Sequence, residues 1–290
     1  MKYKIRFFSS FGDAKQVKSV LNRLCETELM SNYGRDKEIE ITDNDDYSHV
    51  FILNTAMPKL KDNFPKENVV GLAFEPLIFL GLSHEFINYA ERNIGKYFIG
   101  DKKMLPSVFT EHFSYMWNCT PCRSIPDKSK KMSIMISEKG NTFGHKYRHM
   151  LVSNILKEGL PVDIYGRGCK YYNINDDRLK GEFTELEPYQ DYEFHICIEN
   201  VESNHYFSEK IINPLLNGTT PLYLGCVNIE NYFGKILTLS KNEGEDVELI
   251  KNILINPQDY KKEIDLEKVK DTVYLYRNLD SIFMKKNASA

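Results

Sequence analysis

The hydrophobic pattern alternates between strand and helix along the first half of the chain. Short apolar runs are separated by segments whose apolar residues recur every three or four positions, which is typical of amphipathic helices. Strands are predicted in KYKIRFF (2–8), EIEIT (38–42), HVFILNTA (49–56), NVVGLAFE (68–75) and KYFIGD (96–101). Helices are predicted in AKQVKSVLNRLCETEL (14–29) and HEFINYAERN (84–93).

The same alternation resumes in the second half. Strands are predicted in MSIMIS (132–137), VDIYG (162–166), FHICIE (194–199) and TPLYLG (220–225), and helices over 146–157, after Ser208, over 245–254 and over 266–286. Because strands that alternate with helices build parallel sheets covered on both faces, the pattern predicts an α/β protein. We expect two Rossmann-like, doubly wound domains that face a central cleft.

A polar segment, NCTPCRSIPDKSKK (118–131), interrupts this pattern and has the composition of a linker. We therefore predict a first domain over 1–122 and a second over 123–262. The remaining residues, 263–290, are predicted to form a C-terminal helix that packs back across the domains. Ligands of doubly wound sheets bind where strand carboxyl ends meet helix N-termini, so the loops after the strands should carry the chemistry.

Composition and charge narrow the class of protein. The chain has 290 residues, 42% of them hydrophobic, which is typical of a globular protein. A net charge of −3 provides no basic field for nucleic acid or an anionic membrane. The sequence contains no apolar run of about 18 residues and no signal-peptide stretch, so we expect a soluble chain without a membrane span. The compartment is not identified, and these features favour the cytoplasm.

Two short motifs raise the question of a metal. Cys119 and Cys122 form a CxxC pair, but no second pair supplies the other two zinc ligands, so two free thiols are favoured over zinc or redox chemistry. TDNDDY contains Asp43, Asp45 and Asp46 in a DxD pattern, which in other enzymes binds a metal and a nucleotide. Its early position favours a solvated acidic turn instead. No metal site is predicted.

The segment from Ser208 to Lys210 combines a helix start with charged side chains. Ser208 is a good N-cap, and the free N–H groups of a helix N-terminus attract an anion. Lys210 is unfavourable in the first turn unless an anion binds there. Glu209 could accept hydrogen bonds from the two hydroxyl groups of a ribose. The alternative is an ordinary capped helix with two solvated charges. Pro214 should shorten or kink this helix.

These residues lie in a longer segment, YEFHICIENVESNHYFSEKIINPLLNGTTPLYLG (192–225), which resembles the donor-site signature of the α1,3/α1,4-fucosyltransferases, glycosyltransferase family 10. Upstream, VDIYGRG (162–168) resembles the family's V-D-V-[FY]-G-R segment, and LAFEP (72–76) resembles its glutamate-containing segment. Ser208 replaces the family's usual Thr, and Val201 and His205 also depart from the pattern. The acceptor half diverges most.

The resemblance implies a GT-B fold and an inverting transfer of fucose from GDP-fucose to a glycan hydroxyl, with no metal and no cofactor. Inversion by a single displacement requires one base, and the resemblance assigns this role to Glu75. We expect Glu75 to end a buried strand before Pro76, with partial burial raising its pKa. The first domain would then bind the acceptor and the second the nucleotide-sugar donor.

The resemblance also implies a set of donor-binding residues. Lys210 matches the phosphate-contacting Lys, and Arg148 is preferred over Lys146 for the phosphate-binding Arg. Glu209 matches the residue that contacts the nucleotide sugar. The full predicted set is Arg148, Gly166, Arg167, Glu199, Asn200, Tyr206, Ser208, Glu209 and Lys210.

Two alternatives remain open at this stage. The same fold could use another nucleotide-sugar donor, because the signature mainly recognises the nucleotide and the diphosphate. The chain could also be a catalytically silent module that binds a glycan or a nucleotide. The presence of Glu75 argues against a silent module, since a protein that only binds has no use for a base.

Overall fold

The computed structural model describes residues 2–27, 39–116 and 124–283. The chain divides into two compact units. Unit 1 comprises Met1–Cys119, Ser203–Tyr206 and Lys270–Ala290, and unit 2 comprises Thr120–Glu202 and Phe207–Val269. The CxxC pair, the predicted boundary between 122 and 123, and the first part of the predicted linker lie outside the described residues. Within the described ranges, no helix is both long enough and apolar enough to cross a membrane.

Unit 1 contains a six-stranded sheet. Its strands are β1 (Tyr3–Ser9), β2 (Ile39–Thr42), β3 (His49–Leu53), β4 (Val69–Leu72), β5 (Lys96–Ile99) and β6 (Phe109–Glu111). They lie in the order β2-β1-β3-β4-β5-β6, and neighbouring strands run parallel. The helices are α1 (Ala14–Thr27), α2 (Leu77–Leu80) and α3 (His84–Asn93). The strands are buried along most of their length, as expected of a sheet packed on both faces.

Unit 2 contains a second six-stranded sheet. Its strands are β7 (Lys130–Met135), β8 (Val162–Tyr165), β9 (Leu179–Gly181), β10 (Tyr192–Ser203), β11 (Thr220–Cys226) and β12 (Leu237–Thr238). They lie in the order β12-β11-β10-β7-β8-β9. The helices are α4 (Phe143–Lys157), α5 (Glu209–Leu216), α6 (Glu230–Phe233), α7 (Glu243–Ile255) and α8 (Pro257–Tyr260). Apolar residues of β7, β8, β10 and β11 pack with those of α4 and α7 in one buried core.

The C-terminal segment is not the single helix that its pattern predicts. It forms α9 (Leu266–Val273), a 3₁₀ turn (Leu275–Asn278) and α10 (Leu279–Phe283). The break falls at Tyr274, which is extended. On either side of it, the Met116 N–H donates to the Val273 carbonyl (2.7 Å) and the Leu275 N–H donates to the Met116 carbonyl (3.1 Å). A tertiary strand-like pairing therefore overrides the local helical pattern.

Each sheet has one point where the strand order reverses direction. In unit 1 it lies between β1 and β3, and in unit 2 between β7 and β10. The loops at the carboxyl ends of the two strands beside such a point diverge and leave a crevice, which is where doubly wound folds bind ligands. In unit 2, α4 follows β7 and α5 follows β10, so both helix N-termini lie at this end of the sheet.

Candidate functional site

Helix α4 begins directly against the backbone of β10. Thr142 caps the helix by accepting the His145 N–H (3.2 Å). At Gly144 a Cβ atom would lie 1.8 Å from the carbonyl oxygen of Glu199, so only glycine permits this approach. The first turn of α4 is thus fixed at the crevice between β7 and β10. Its free N–H groups and the positive end of the helix dipole suit this position to an anion.

Arg148 lies one turn further along α4 and is buried, with 6% of its surface exposed. Its Nε–H donates to the Gly144 carbonyl (3.1 Å), and its Nη2 donates to Asn200 Oδ1 (2.6 Å). Burial lowers the pKa of Arg148, while the negative charges of Glu199 and Glu209 oppose that shift. Because an Arg side chain titrates far above neutrality, the guanidinium stays charged. The bond to Asn200 ties this cation to the strand that precedes α5.

Glu199 is the buried carboxylate at the centre of the site. It accepts the Ser208 backbone N–H (2.8 Å) and the Ser208 hydroxyl (2.9 Å), and it lies 3.5 Å from Lys210 Nζ. A Cβ at Gly225 would lie 2.4 Å from Glu199 Cγ, so the neighbouring strand also packs tightly on this side chain. Burial raises the pKa of Glu199, and the charge of Lys210 opposes that shift. In this conformation Glu199 holds Ser208 and Lys210 in place.

Lys210 forms ion pairs with two carboxylates and a hydrogen bond with the N-cap residue of α5. Its Nζ lies 3.0 Å from Glu209 Oε1 and 3.1 Å from Ser208 Oγ, and its side chain is 16% exposed. Burial alone would lower the pKa of Lys210, but the charges of Glu199 and Glu209 outweigh it and raise the pKa. The ammonium group therefore stays charged. The carboxylate of Glu209, by contrast, is half-exposed and accessible to a ligand.

Pro214 lies inside helix α5, which was expected to be shortened or kinked there. Helix α5 ends at Leu216 after eight residues. Pro214 has no N–H to donate to the Lys210 carbonyl, so the helical ladder loses one bond in its middle. The chain then turns at Gly218, whose φ of 67° is in the left-handed region. The short helix leaves its charged first turn at the carboxyl end of β10.

A cavity of about 510 Å³ lies beside these groups in unit 2. Three predicted donor-binding residues, Arg148, Gly166 and Arg167, line it together. Gly166 has a φ of 105°, and a Cβ there would lie 2.1 Å from the Ile136 carbonyl, so the turn after β8 requires glycine. The sequence patterns did not single out Ser137, Lys139, Glu182 and Phe183, which also line the cavity. Each follows the carboxyl end of a strand, which is the signal that could have found them.

The pKa of His145 is affected by the positive charges around this crevice. Its Nδ1 lies 3.0 Å from Asn141 Oδ1 in the turn that precedes α4. Burial, together with the positive charges of Arg148, Lys139 and Lys210, lowers the pKa of His145 to about 4. The ring is therefore neutral near neutral pH. Burial is the largest cause of this shift, and the nearby cations that add to it would also favour an anion in the site.

Glu75 lies in unit 1, at a bend between β4 and α2, and it is exposed. The expectation of a buried strand end is wrong, because β4 ends at Leu72. The Ala73 N–H still donates to the Phe98 carbonyl (3.0 Å), and the Phe74 N–H donates to Asn54 Oδ1 (2.8 Å). Pro76 cannot donate a ladder bond and instead precedes the first turn of α2. The loop that carries Glu75 is therefore anchored, while Glu75 itself faces solvent.

Tyr206 is the one predicted donor-binding residue that belongs to unit 1. It is buried there in the short segment Ser203–Tyr206, whose Asn204 donates to Asp101 Oδ1 (2.8 Å). Its assignment to the donor site stays a prediction.

The acidic turn of unit 1 has a separate cation for each of its carboxylates. Asp43 pairs with Lys18 (2.8 Å), Asp46 pairs with Lys4 (2.6 Å) and Asp45 pairs with Arg6. This arrangement favours the acidic-turn interpretation of the DxD pattern over the metal-binding one. Over the part of the chain that the structure describes, no group of three or more His, Cys, Asp or Glu is placed to hold a metal ion.

Solved structures define the class of fold. An α1,3-fucosyltransferase solved with GDP-fucose matches with a TM-score of 0.54 at 14% identity, over 98% of this chain and 91% of that chain. Anabaena HepE in complex with UDP-glucose matches with a TM-score of 0.57 at 9% identity, over 97% of this chain and 98% of that chain. Together with the two parallel sheets, these matches identify the GT-B fold of glycosyltransferases.

The sequence comparisons relate part of the chain to one family of enzymes. Residues 107–237 match the model of the glycosyltransferase family 10 (fucosyltransferase) C-terminal region. "Putative fucosyltransferase R654" of Acanthamoeba polyphaga mimivirus is 31% identical over 136 residues, which cover 42% of this chain. "Putative fucosyltransferase-like protein" of Arabidopsis thaliana is 28% identical over 92 residues, which cover 32% of this chain. The chain spans 22% and 17% of the lengths of these two relatives. Residues 107–237 of the chain are therefore similar to the C-terminal region of glycosyltransferase family 10.

Proposed function

We propose that the chain transfers fucose from GDP-fucose to a hydroxyl group of a glycan. The observation that carries the proposal is the pair of cations, Arg148 and Lys210, held at the crevice of unit 2. Both are fixed by carboxylate or amide partners, and both lie beside helix N-termini. This combination suits a diphosphate, which needs fixed positive charge and N–H donors. It lies within the segment that matches the family 10 model.

In this proposal each donor-site residue has a defined role. Lys210 and Arg148 bind the diphosphate, and the half-exposed Glu209 accepts the ribose hydroxyls. Glu199, Ser208 and Asn200 hold the two cations in position through the hydrogen bonds described above. Gly166 and Arg167 form part of the cavity wall, and Tyr206 stays a predicted donor-binding residue. A cation about 4 Å from a phosphate contributes about 4 kcal/mol at an effective dielectric of 20, against about 1 kcal/mol in bulk water.

We further propose that the transfer inverts the anomeric carbon and requires no metal. Inversion in one displacement needs a base for the acceptor hydroxyl, and Glu75 is the candidate. Its loop is anchored by Asn54, and its exposed position leaves it accessible to an acceptor. The charge that develops on the leaving diphosphate would be met by Lys210, Arg148 and the N–H groups of α4 and α5.

A transfer assay with GDP-fucose and a panel of glycan acceptors tests the proposal. Glu75→Gln removes the base while keeping the side-chain shape, so transfer should fall by roughly 10²- to 10⁴-fold with the affinity for GDP unchanged. Glu91→Gln, at another exposed Glu of unit 1, is the matched control and should keep full activity. Full activity of Glu75→Gln would refute the assignment of the base. GDP binding without turnover of any donor would instead indicate a silent binding module.

A different nucleotide-sugar donor is the second candidate. It is kept because the fold of this chain matches HepE, solved with UDP-glucose, as well as the fucosyltransferase. Thermal unfolding in the presence of GDP, UDP, CDP and ADP separates the candidates, since ligand stabilisation follows affinity and concentration. Stabilisation by UDP in preference to GDP would overturn the fucose assignment.

A further inference from the structure

A loop of unit 2 places an acidic and an aromatic side chain on the wall of the 510 Å³ cavity. Glu182 and Phe183 directly follow β9, which ends at Gly181 with a φ of 75°. The Gly166 N–H donates to the Gly181 carbonyl (2.6 Å), so this loop is fixed to the turn that carries Arg167. Phe183 is 38% exposed, and its ring makes a T-shaped contact with the ring of Tyr165, with 6.0 Å between the ring centroids. The cavity therefore has an apolar wall and a carboxylate on the same short loop.

Glu182 differs from the other carboxylates around it. Glu138, which lines the same cavity, pairs with Lys170 (2.5 Å). Glu187, further along the loop, accepts the Thr184 N–H (3.1 Å). The carboxylate of Glu182 makes no hydrogen bond or ion pair within residues 2–27, 39–116 and 124–283, although Arg148 and Arg167 line the same cavity. Its hydrogen-bonding capacity is thus fully available to a ligand.

The chemistry of the nucleobases indicates which ligand fits a free carboxylate beside an aromatic ring. Guanine presents two adjacent N–H donors, N1–H and the N2 amino group, to the two oxygens of one carboxylate. Uracil presents carbonyl oxygens on both sides of its single N–H, which a carboxylate repels. Adenine and cytosine each present one amino group next to an acceptor nitrogen. A bidentate contact of this kind discriminates strongly, because a mismatched base leaves charged or polar groups unpaired.

We propose that Glu182 selects guanine by accepting hydrogen bonds from its N1–H and N2 amino group, with Phe183 as the apolar wall of the base pocket. A volume of about 510 Å³ lies within the range of roughly 300–1,000 Å³ that small-molecule sites occupy. The inference rests on the proposed nucleotide function and deepens it, because it gives a physical reason for GDP over UDP. Arg148 and Lys210 would hold the diphosphate whichever base is attached.

Calorimetric titration with GDP and inosine diphosphate (IDP) tests the role of Glu182, because IDP differs from GDP only by the missing N2 amino group. Wild type should bind GDP roughly ten- to a hundredfold more tightly than IDP, the usual effect of losing a hydrogen bond to a charged group. Glu182→Gln should lose roughly tenfold or more in GDP affinity, and its GDP-to-IDP ratio should fall towards one. Glu185→Gln, an equal charge change at an exposed residue of the same loop, should keep the wild-type ratio.

The outcomes distinguish a failure of the Glu182 assignment from a failure of the proposed nucleotide function. Because Glu182 is exposed and has no partner in the described parts of the chain, Glu182→Gln should keep the wild-type melting temperature. A GDP-to-IDP ratio that is unchanged in Glu182→Gln overturns the inference and leaves the proposed function standing. Absence of any nucleotide binding by wild type overturns the proposed function and the inference with it.

Discussion

The carboxyl edges of the two sheets differ in the burial of their charged side chains, although both units are doubly wound. In unit 2, the loops after β7 and β10 bring together buried charges, each with a fixed partner. In unit 1, the loops after β1, β3, β4 and β5 carry exposed apolar side chains and the exposed Glu75. The exposed large apolar residues that follow these strands are Phe11, Met57 and Met104 in loops and Ile78 and Phe79 in α2.

The buried charges of unit 2 have an energetic cost that an exposed carboxylate does not have. Fixing Arg148, Lys210 and Glu199 in a buried network costs desolvation, which hydrogen bonds and opposite charges must offset. Such a cost is expected if the site is preorganised for the proposed diphosphate. At the unit 1 edge, by contrast, Glu75 is exposed. This exposed carboxylate and the exposed apolar side chains nearby would be accessible to the proposed acceptor.

The largest effect should follow from removing the cation of α5. Lys210→Met deletes a charged partner of the proposed diphosphate, so GDP affinity should fall by about 2–4 kcal/mol, which is roughly 30- to 1,000-fold. Isothermal titration with GDP measures it. Glu75→Gln, at the unit 1 edge, should bind GDP as wild type does. Equal losses in the two variants would break the contrast between the edges.

Lys210→Met also leaves Glu199 buried without its cation, so the variant could lose stability for reasons unrelated to donor binding. Lys210→Arg keeps the charge and provides the control. It should recover part of the GDP affinity and most of the melting temperature. A Lys210→Met protein that melts as wild type does and still binds GDP fully would contradict the role of this cation.

A smaller effect is expected at the start of α4. Gly144→Ala places a methyl group 1.8 Å from the Glu199 carbonyl oxygen, so the helix or the strand must shift. Overpacking of this kind costs typically about 1–3 kcal/mol of unfolding free energy, and the shift should also weaken GDP binding because Arg148 is carried on α4. Urea denaturation measures the first effect and calorimetric titration the second.

Gly244→Ala is the matched control in the same unit. Gly244 lies in the first turn of α7, and the nearest atom to its added Cβ would be 3.6 Å away. Alanine should there be neutral or stabilising by about 0.5–1 kcal/mol, because it is the better helix former. Similar behaviour of the two alanine variants would show that the contact at Gly144 does not position the helix.

The sequence predicted the long elements because their apolar residues repeat over several turns or alternations. The helix predicted over 84–93 coincides with α3, and the strands of both cores lie within a few residues of their predicted positions. The strands β6, β9 and β12 were missed, since two or three residues are too few to show a period. That omission matters at β9, because Glu182 and Phe183 follow it.

The donor-site residues were found through a linear motif, whereas their contacts depend on the fold. Motif and helix-start patterns indicated Ser208, Glu209 and Lys210. No local pattern indicated that Glu199 would be buried beneath Ser208, because its environment is completed by Gly225 on another strand. Tertiary contacts also explain why the predicted position of Glu75 at a strand end was wrong. The apolar pattern continues to residue 75, but the strand ends at Leu72. The next two N–H groups along the chain donate to the Phe98 carbonyl and to Asn54 Oδ1.

The smallest expected effect is the uptake of a fraction of a proton by His145, at the unit 2 edge, when GDP binds. Its pKa of about 4 lies below the ordinary value of 6.5 because of burial and the charges of Arg148, Lys139 and Lys210. Without ligand, stability should therefore fall as the pH drops from 6.5 towards 4, since the unfolded chain binds this proton more tightly. A bound diphosphate would offset the positive charges and raise the pKa of His145.

GDP binding at pH 5 should then take up roughly 0.2–0.5 proton if the pKa rises by about one unit. Titration in two buffers of different ionisation enthalpy measures this uptake, and His145→Gln should lack it. The phosphate groups of GDP also titrate near this pH, but they contribute equally to both proteins and cancel in the difference. Equal proton uptake by wild type and His145→Gln would place the diphosphate away from the N-terminus of α4.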